Sequence, residues 1–558
     1  MLLALPALFG CPSVPAGPGA GPPTPSPPCA AKLLVGGTVH LGFHPDDRPV
    51  EALGIAADGC VALAGTLAEV RAAACADAEE IDLEGGTAVP GLVDAHGHVG
   101  SLGRAMDSAD LRGAMTAEEA ARRAADWAGA LPEGRWALGR GWDQNLWPAA
   151  AFPDRAVLDA LLPDRPALLV RVDGHAAWVN SAALAAAGID AGTPEPAGGE
   201  ILRRPDGEPT GVLVDNAVDL VTARLPVRDA EARRDDIFHA LEKLASFGLT
   251  AVHDMGAAAE DLPVYRQLAE QGLLPLRVAL YLDGTTPLPE GVERSAWGRL
   301  EVVGVKGFAD GALGSRGALL LADYADEPGH RGLEVASVER LVELGQAAYS
   351  RRLALAIHAI GDAGIRNALD AQERLGPPPY GVSRPRIEHV QILAPEDLSR
   401  FGALGIVASM QPVHAVSDMG WAEQRVGPAR LALAYAWRAL ANSGARLAFG
   451  TDFPVESPDP FATLAAAVTR RDAAGLPEGG WHPEQCLRVP EALEAMTWGA
   501  AYAVDADTSR GRLVPGLEAD ITVLDRDPLA VPDTAELRSI RPTMTVVGGE
   551  VRRLSPDR

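Results

Sequence analysis

The chain has 558 residues, 47% apolar and 22% charged, which excludes a small binding module and excludes disorder as its general state. Asp plus Glu number 75 against 49 Lys plus Arg, a formal charge of −26, so a general field drawing in nucleic acid or anionic lipid is excluded. Aromatics are only 5%, while 60 Gly and 45 Pro point to many short turns, as in a loop-rich barrel.

Taken in chain order, residues 2–9 are apolar and lead into Gly10-Cys11 and a Pro/Gly/Ser-rich stretch. The run is too short to span a bilayer. It resembles the end of a bacterial lipoprotein signal, cut before Cys11, which would be lipidated, with residues 1–29 as signal and extended tether. The expectation is an exported lipoprotein on the periplasmic side of the cell envelope, and the alternative is a cytoplasmic protein with this stretch as leader. No CxxC metal spacing occurs, and Cys29, Cys60 and Cys75 leave room for one or two disulfides if the protein is exported. Residues 30–89 alternate short apolar runs with turns and read as β-rich. Residues 506–558 carry matching runs, Ile521-Thr522-Val523-Leu524 and Thr543-Met544-Thr545-Val546-Val547, so the two ends are expected to share one small β-sandwich domain. Between them, over 90–505, apolar strands such as 353–357 alternate with Ala-rich helical windows such as 338–350 and 395–404, the signature of a parallel sheet with crossovers.

Val89 to His98 reads as an apolar strand closing on His96-Gly97-His98. A strand's period of two would aim both imidazoles at one face, able to grip one metal ion, with Gly97 leaving room between them. Lys306, His358, His389 and Asp452 each follow or end an apolar run. A (β/α)8 TIM barrel repeats about every 30 residues and gathers its site at the carboxyl ends of its strands. His358 and His389 lie one such unit apart, His389 and Asp452 two, and Lys306 and His358 one with a long loop, which suits strands 4, 5, 6 and 8. The far longer interval from His98 to Lys306 requires a large insertion after strand 1, expected near 104–235. Only three basic residues are lysine (Lys32, Lys243 and Lys306), and one set in an apolar run suits chemistry that needs a neutral amine, which arginine never presents.

The stretches Pro90 to His98, Asp173 to Ser181, Ala309 to Arg316, His358 to Asp362, Ile387-Glu388-His389 and Gly450 to Val455 resemble the amidohydrolase superfamily, most closely the YtcJ-like branch that includes N-substituted formamide deformylases. The likeness runs from about residue 32 through nearly all of the chain. It implies a divalent metal centre of two ions, zinc first among the candidates, with His96 and His98 on the first ion and His358 and His389 on the second. Lys306 would be carboxylated by carbon dioxide to a bridging carbamate, and Asp452 would bind the first ion and handle protons. The donor types agree with a zinc-type hydrolytic site. The implied activity is hydrolysis of a small amide or formamide by a hydroxide formed at the metal, Asp452 passing the proton to the departing amine. A cyclic amide or ester substrate and a lipid-anchored, non-catalytic binding protein are the alternatives.

The remaining polar residues keep both readings. His175, Trp178 and Asn180 either line a substrate pocket from the insertion or form hydrogen-bonded interior structure. Asp310 and Arg316 lie where substrate contacts or supporting bonds are expected, a surface ion pair being the alternative for Arg316. Asp362 is expected to cap a helix and His253 to be a buried structural histidine closing strand 2 or 3, while His40, His44, His239, His330, His414 and His482 default to the surface. The partner expected is a small amide, with no nucleic acid, membrane contact only through the lipid, and oligomer formation left open.

Overall fold

The computed structural model describes residues 28–555 apart from 133, 227, 286 and 297. The expected lipidation at Cys11 and most of the tether lie outside the described residues. Eight parallel strands form the central sheet: β1 (Leu92–Gly97), β2 (Leu249–Ala257), β3 (Arg277–Asp283), β4 (Leu300–Phe308), β5 (Ala354–Ala359), β6 (Arg386–His389), β7 (Val407–Met410) and β8 (Arg446–Phe449). Each pairs with the next in order from β1 to β8. Alternation along a strand sorts its side chains: Leu280, Leu355 and Ile357 join the large cluster shared with the outer helices. Their neighbours Ala279, Tyr281, Ala354 and Ala356 pack in a separate cluster with Ala501 and Val504. This is a (β/α)8 barrel, and helices Val338–Ser350 and Leu398–Leu404 fall in the two windows read from the sequence.

The seam between β8 and β1 is closed by a clip rather than a ladder. Residues 450–453 fold back on β1, where Asp452 N donates to His96 O at 2.7 Å and His98 N to Phe453 O at 2.9 Å. Asp94 binds the clip from the other side, taking Thr451 Oγ1 at 2.6 Å and the Thr451 and His96 amides at 3.1 Å. Gly97 belongs to this seam. A Cβ there would stand 2.1 Å from the Phe453 ring, so its missing side chain makes room for Phe453 and not merely for the two histidines. The run from Val89 to His98 is also not one strand. Thr87–Pro90 lies in the end domain and β1 begins at Leu92, the break falling at Gly91, where a Cβ would strike Thr250.

Both chain ends build that end domain. One sheet comes from Ala30–Val35, Ala52–Ala56, Val61–Gly65 and Ala74–Asp82. The other sets Thr38–Val39 and Thr87–Pro90 beside Ile521–Leu524, Pro542–Val547 and Glu550–Arg553, in that order. Leu34, Ile55 and Ile81 of the first pack with Ile521, Val523 and Val546 of the second. A Cys29–Cys75 disulfide ties the starts of two strands that already pair in parallel through Ala30 and Ala74. Between β1 and β2 the chain makes a separate six-stranded sheet, which includes Ala137–Trp142, Ala167–Arg171, Ala176–Val179 and Pro209–Asp215. Among the described residues no helix is long and apolar enough to cross a membrane.

Candidate active site

His96 ends β1, His358 lies near the end of β5 and His389 ends β6, while Lys306 lies on β4 and Asp452 in the clip after β8. The register carries them to one level, with His358 opposite Phe308 and His389 opposite Ala359. His98 departs from the strand reading: it stands at the N-cap position of helix Val99–Met106 without a capping side-chain bond, and the turn there still brings its ring to 5.4 Å from His96. His96, His98 and Asp452 offer ligand atoms all within 4.8 Å of one another. Asp452 Oδ1 lies 3.0 Å from His98 Nε2 and 3.5 Å from His96 Nε2. The His389 ring bridges to the others, 4.7 Å from His96 and 4.5 Å from His358.

Each ring is held from behind. His96 Nδ1 donates to Glu388 at 2.6 Å and His389 Nδ1 to Gln411 at 2.9 Å, which leaves both Nε2 lone pairs facing inward. His358 Nε2 approaches Gly311 O at 3.4 Å, which leaves Nδ1 as its available lone pair. Beneath them Arg386, wholly buried, donates to Glu388, Ser409, Ala95 O and His253. His253 is thus a buried support on β2, as expected.

Burial pushes His96 down to about 4, and it holds His358 and His389 well below the usual imidazole range, so all three are neutral donors. Burial alone would raise Asp452, but His98, 3.0 Å from Oδ1, and the surrounding histidines outweigh it and keep the carboxylate ionised. Glu388 is likewise held low, Arg386 and His96 overcoming its burial. Burial brings the Lys306 amine down to about 8. His96 Nε2 and Asp452 Oδ1, both buried, face each other with no hydrogen-bond partner among the described residues. Neutral imidazoles, an ionised carboxylate and unpartnered inward atoms fit a divalent metal.

A cavity of about 400 Å³ opens over these residues, within the range of small-molecule sites. Its floor is His358, His389 and Asp452, and the insertion contributes Asp143, Arg171 and His175 to its wall. His175 lies 5.2 Å from His358, ring to ring, and its Nδ1 donates to Asp215 at 2.6 Å. Burial would lower it, but Asp215 prevails and raises it to about 9, which makes it a cationic donor at the mouth.

Three expected substrate contacts are corrected. Trp178 is fully buried in the insertion's own core against Trp142 and Trp147, because it lies on the face of its strand turned from the cavity. Asp310 is fully buried and accepts backbone amides of Leu319, Ile360 and Gly361, so it shapes the loops beside His358 rather than touching substrate. Arg316 pairs with Asp326 and Glu327, the ion-pair alternative. Asn180 caps helix Ser181–Ala187, while Asp362 follows the N-cap Gly361 and accepts the Ala363 and Leu321 amides. His40 and His414 are buried, not on the surface. His414 lines the cavity from the helix Pro412–Asp418, four residues beyond Met410 at the end of β7.

A parallel barrel that gathers imidazole and carboxylate donors at the carboxyl ends of its strands has the layout of a barrel enzyme with a metal-binding site. A model of the amidohydrolase family matches residues 79–553. YtcJ of Bacillus subtilis (strain 168), an amidohydrolase by name, is 34% identical over 85% of this chain and 90% of its own. The N-substituted formamide deformylase of Arthrobacter pascens is 29% identical over 88% of this chain and 93% of its own. The crystal structure of an uncharacterized metal-dependent hydrolase from Pyrococcus horikoshii OT3 superimposes with a TM-score of 0.73 at 31% identity, covering 90% of this chain and 98% of that one. The chain belongs to the amidohydrolase family and is a hydrolase, and the family implies a divalent metal.

Proposed function

We propose that the chain hydrolyses a small N-substituted amide, with formamides the nearest precedent, at a centre of two divalent ions held by His96, His98, Asp452, His358, His389 and a carbamate on Lys306. The observation that carries this reading is the convergence of His96, His98 and Asp452 beside a cavity of small-molecule size whose floor is His358, His389 and Asp452. Bound divalent ions lower the pKa of water and polarise a carbonyl. The chain supplies the rest. Asp452, ionised, takes the proton of the attacking water and returns it to the departing amine. His175 presents a charged donor to the substrate from the insertion. Leu146, Trp421 and Val455 give the cavity an apolar strip suited to an N-substituent. Zinc suits the nitrogen and oxygen donors.

Elemental analysis of the purified protein, with and without bicarbonate in the buffers, paired with a panel of amides, cyclic amides and esters, tests this. Near two metal equivalents with amide turnover is expected. One equivalent with turnover would remove Lys306 from the bridge, and preference for a cyclic amide or ester would correct the substrate. Metal-loaded protein with no turnover would sink the reading.

We also propose export, with lipid on Cys11. The Cys29–Cys75 disulfide suits an oxidising compartment. A membrane fraction unchanged by Cys11→Ser would reject the anchor.

A further inference from the structure

We propose that His414 is a further catalytic residue, whose Nε2–H binds the substrate's carbonyl oxygen and stabilises the charge that gathers there during attack. This rests on the hydrolase reading above. Pro412 opens helix Pro412–Asp418 directly after β7, and the first turn of that helix sets His414 over the barrel mouth. The residue is 8% exposed and lines the cavity.

Its tautomer is set from the loop after β6. Gln391 Nε2 lies 3.4 Å from His414 Nδ1 and can only donate, so Nδ1 accepts and Nε2 carries the hydrogen. That Nε2 is buried and has no hydrogen-bond partner among the described residues. Buried donors left without an acceptor are uncommon, and one that faces a cavity marks a place for a ligand atom. The acidic groups on the same wall are otherwise engaged: Asp418 accepts from the Tyr435 hydroxyl and Glu456 from the Ser417 hydroxyl.

The position relative to Asp452 gives the donor its role. Asp452 turns Oδ1 to His96 and His98, while Oδ2 lies 3.7 Å from His414 Nε2. That interval is too long for a hydrogen bond, and both residues line the cavity. A carbonyl whose oxygen takes the Nε2–H therefore has its carbon beside the carboxylate that moves the proton. In the reaction the water oxygen bonds to that carbon, the C–N bond breaks, and the water's proton travels through Asp452 to the amine. The hydrogen on His414 stays where it is, and its bond strengthens as the oxygen gains charge.

The test compares wild-type holoenzyme with His414→Phe and His414→Gln on an amide that the wild type turns over, reading kcat, KM, metal content and thermal midpoint. His414→Phe is expected to keep its metal and lose about 10²–10³-fold in kcat, with KM changed far less. His414→Gln retains an N–H donor and is expected to recover about tenfold of that loss, judged on the same scale. Wild-type kcat in the Phe variant, or equal losses in both variants, would overturn the donor role. Should His414→Phe lose metal or fail to fold, Gln391→Met removes the bond that fixes the tautomer, and its kcat is expected to fall about tenfold with metal intact. An unchanged kcat there would overturn the proposal. Metal-loaded wild type inert on every amide and ester would overturn the hydrolase reading and this proposal together, whereas turnover indifferent to His414 overturns this proposal alone.

Discussion

At His96 a single carboxylate decides what the imidazole can do. Glu388 fixes the hydrogen on Nδ1, Arg386 fixes Glu388, and the other nitrogen is left as a lone pair pointing inward. Glu388→Gln keeps the shape but not the charge, and the expected outcome is a 10–100-fold loss in metal affinity, read by titration of the metal-free protein. Lys306→Ala is expected to lose at least one metal equivalent and nearly all turnover, with recovery in a short carboxylic acid that replaces the missing carboxylate; full activity in this variant would remove the bridging role. The residues legible in the sequence were those at strand ends, because a barrel repeats and the repeat dates each one: Lys306, His358, His389 and Asp452 fall where the spacing puts them. Trp178 and His414 were not legible for opposite reasons. Trp178 stands three residues from His175, but the strand turns it into the insertion's core. His414 sits on a helix turn rather than a strand end, so no period announces it.

At the scale of elements, the seam between β1 and β8 is where the first part of the site is assembled. The clip brings Asp452 to His96 and His98, and Asp452 itself adopts a left-handed backbone with φ of 60°, a conformation that non-glycine residues keep mainly where surrounding bonds enforce it. Gly97→Ala would drive a methyl group into the Phe453 ring. We expect a loss of about 1–3 kcal/mol in stability, measured by urea unfolding, together with weaker metal binding because the clip and the histidines separate. Retained metal affinity would show that the site does not depend on the seam. The alternation of strands and helices was readable because apolar runs and Ala-rich windows differ in period. The break at Gly91 was not, since both strands that meet there are apolar and only their tertiary partners tell them apart.

At the scale of the molecule, the end domain is fastened to the barrel floor by a buried ion pair. Arg277 on β3 donates to both Asp520 oxygens, at 2.6 and 3.0 Å, and Asp520 stands just before strand Ile521–Leu524. Asp520→Asn removes one of the guanidinium's two carboxylate partners, Glu518 remaining at 3.1 Å, at a cost of about 3 kcal/mol or less, seen as a lower urea midpoint. Burial alone would raise the Asp520 carboxyl, but Arg277 outweighs it and holds the group below its ordinary 3.8. The stability it contributes is therefore complete above about pH 4 and is lost as pH falls through the lower folded value. The wild type should weaken over that acid range more than Asp520→Asn does, and equal slopes would show that the pair is not the cause. That the two ends share a sheet was readable from their matching runs, while the ion pair, between residues 243 positions apart, carried no local sign.

The shared sheet also sets a schedule for synthesis. Thr87–Pro90 pairs directly with Ile521–Leu524, which the ribosome adds roughly 430 residues later. At about 5–20 residues per second, the earlier strand waits on the order of twenty to ninety seconds with its pairing edge unfilled. Throughout that interval it is an open template for other nascent chains. The order in which the polypeptide is made thus leaves this edge as the last part of the sheet to be covered.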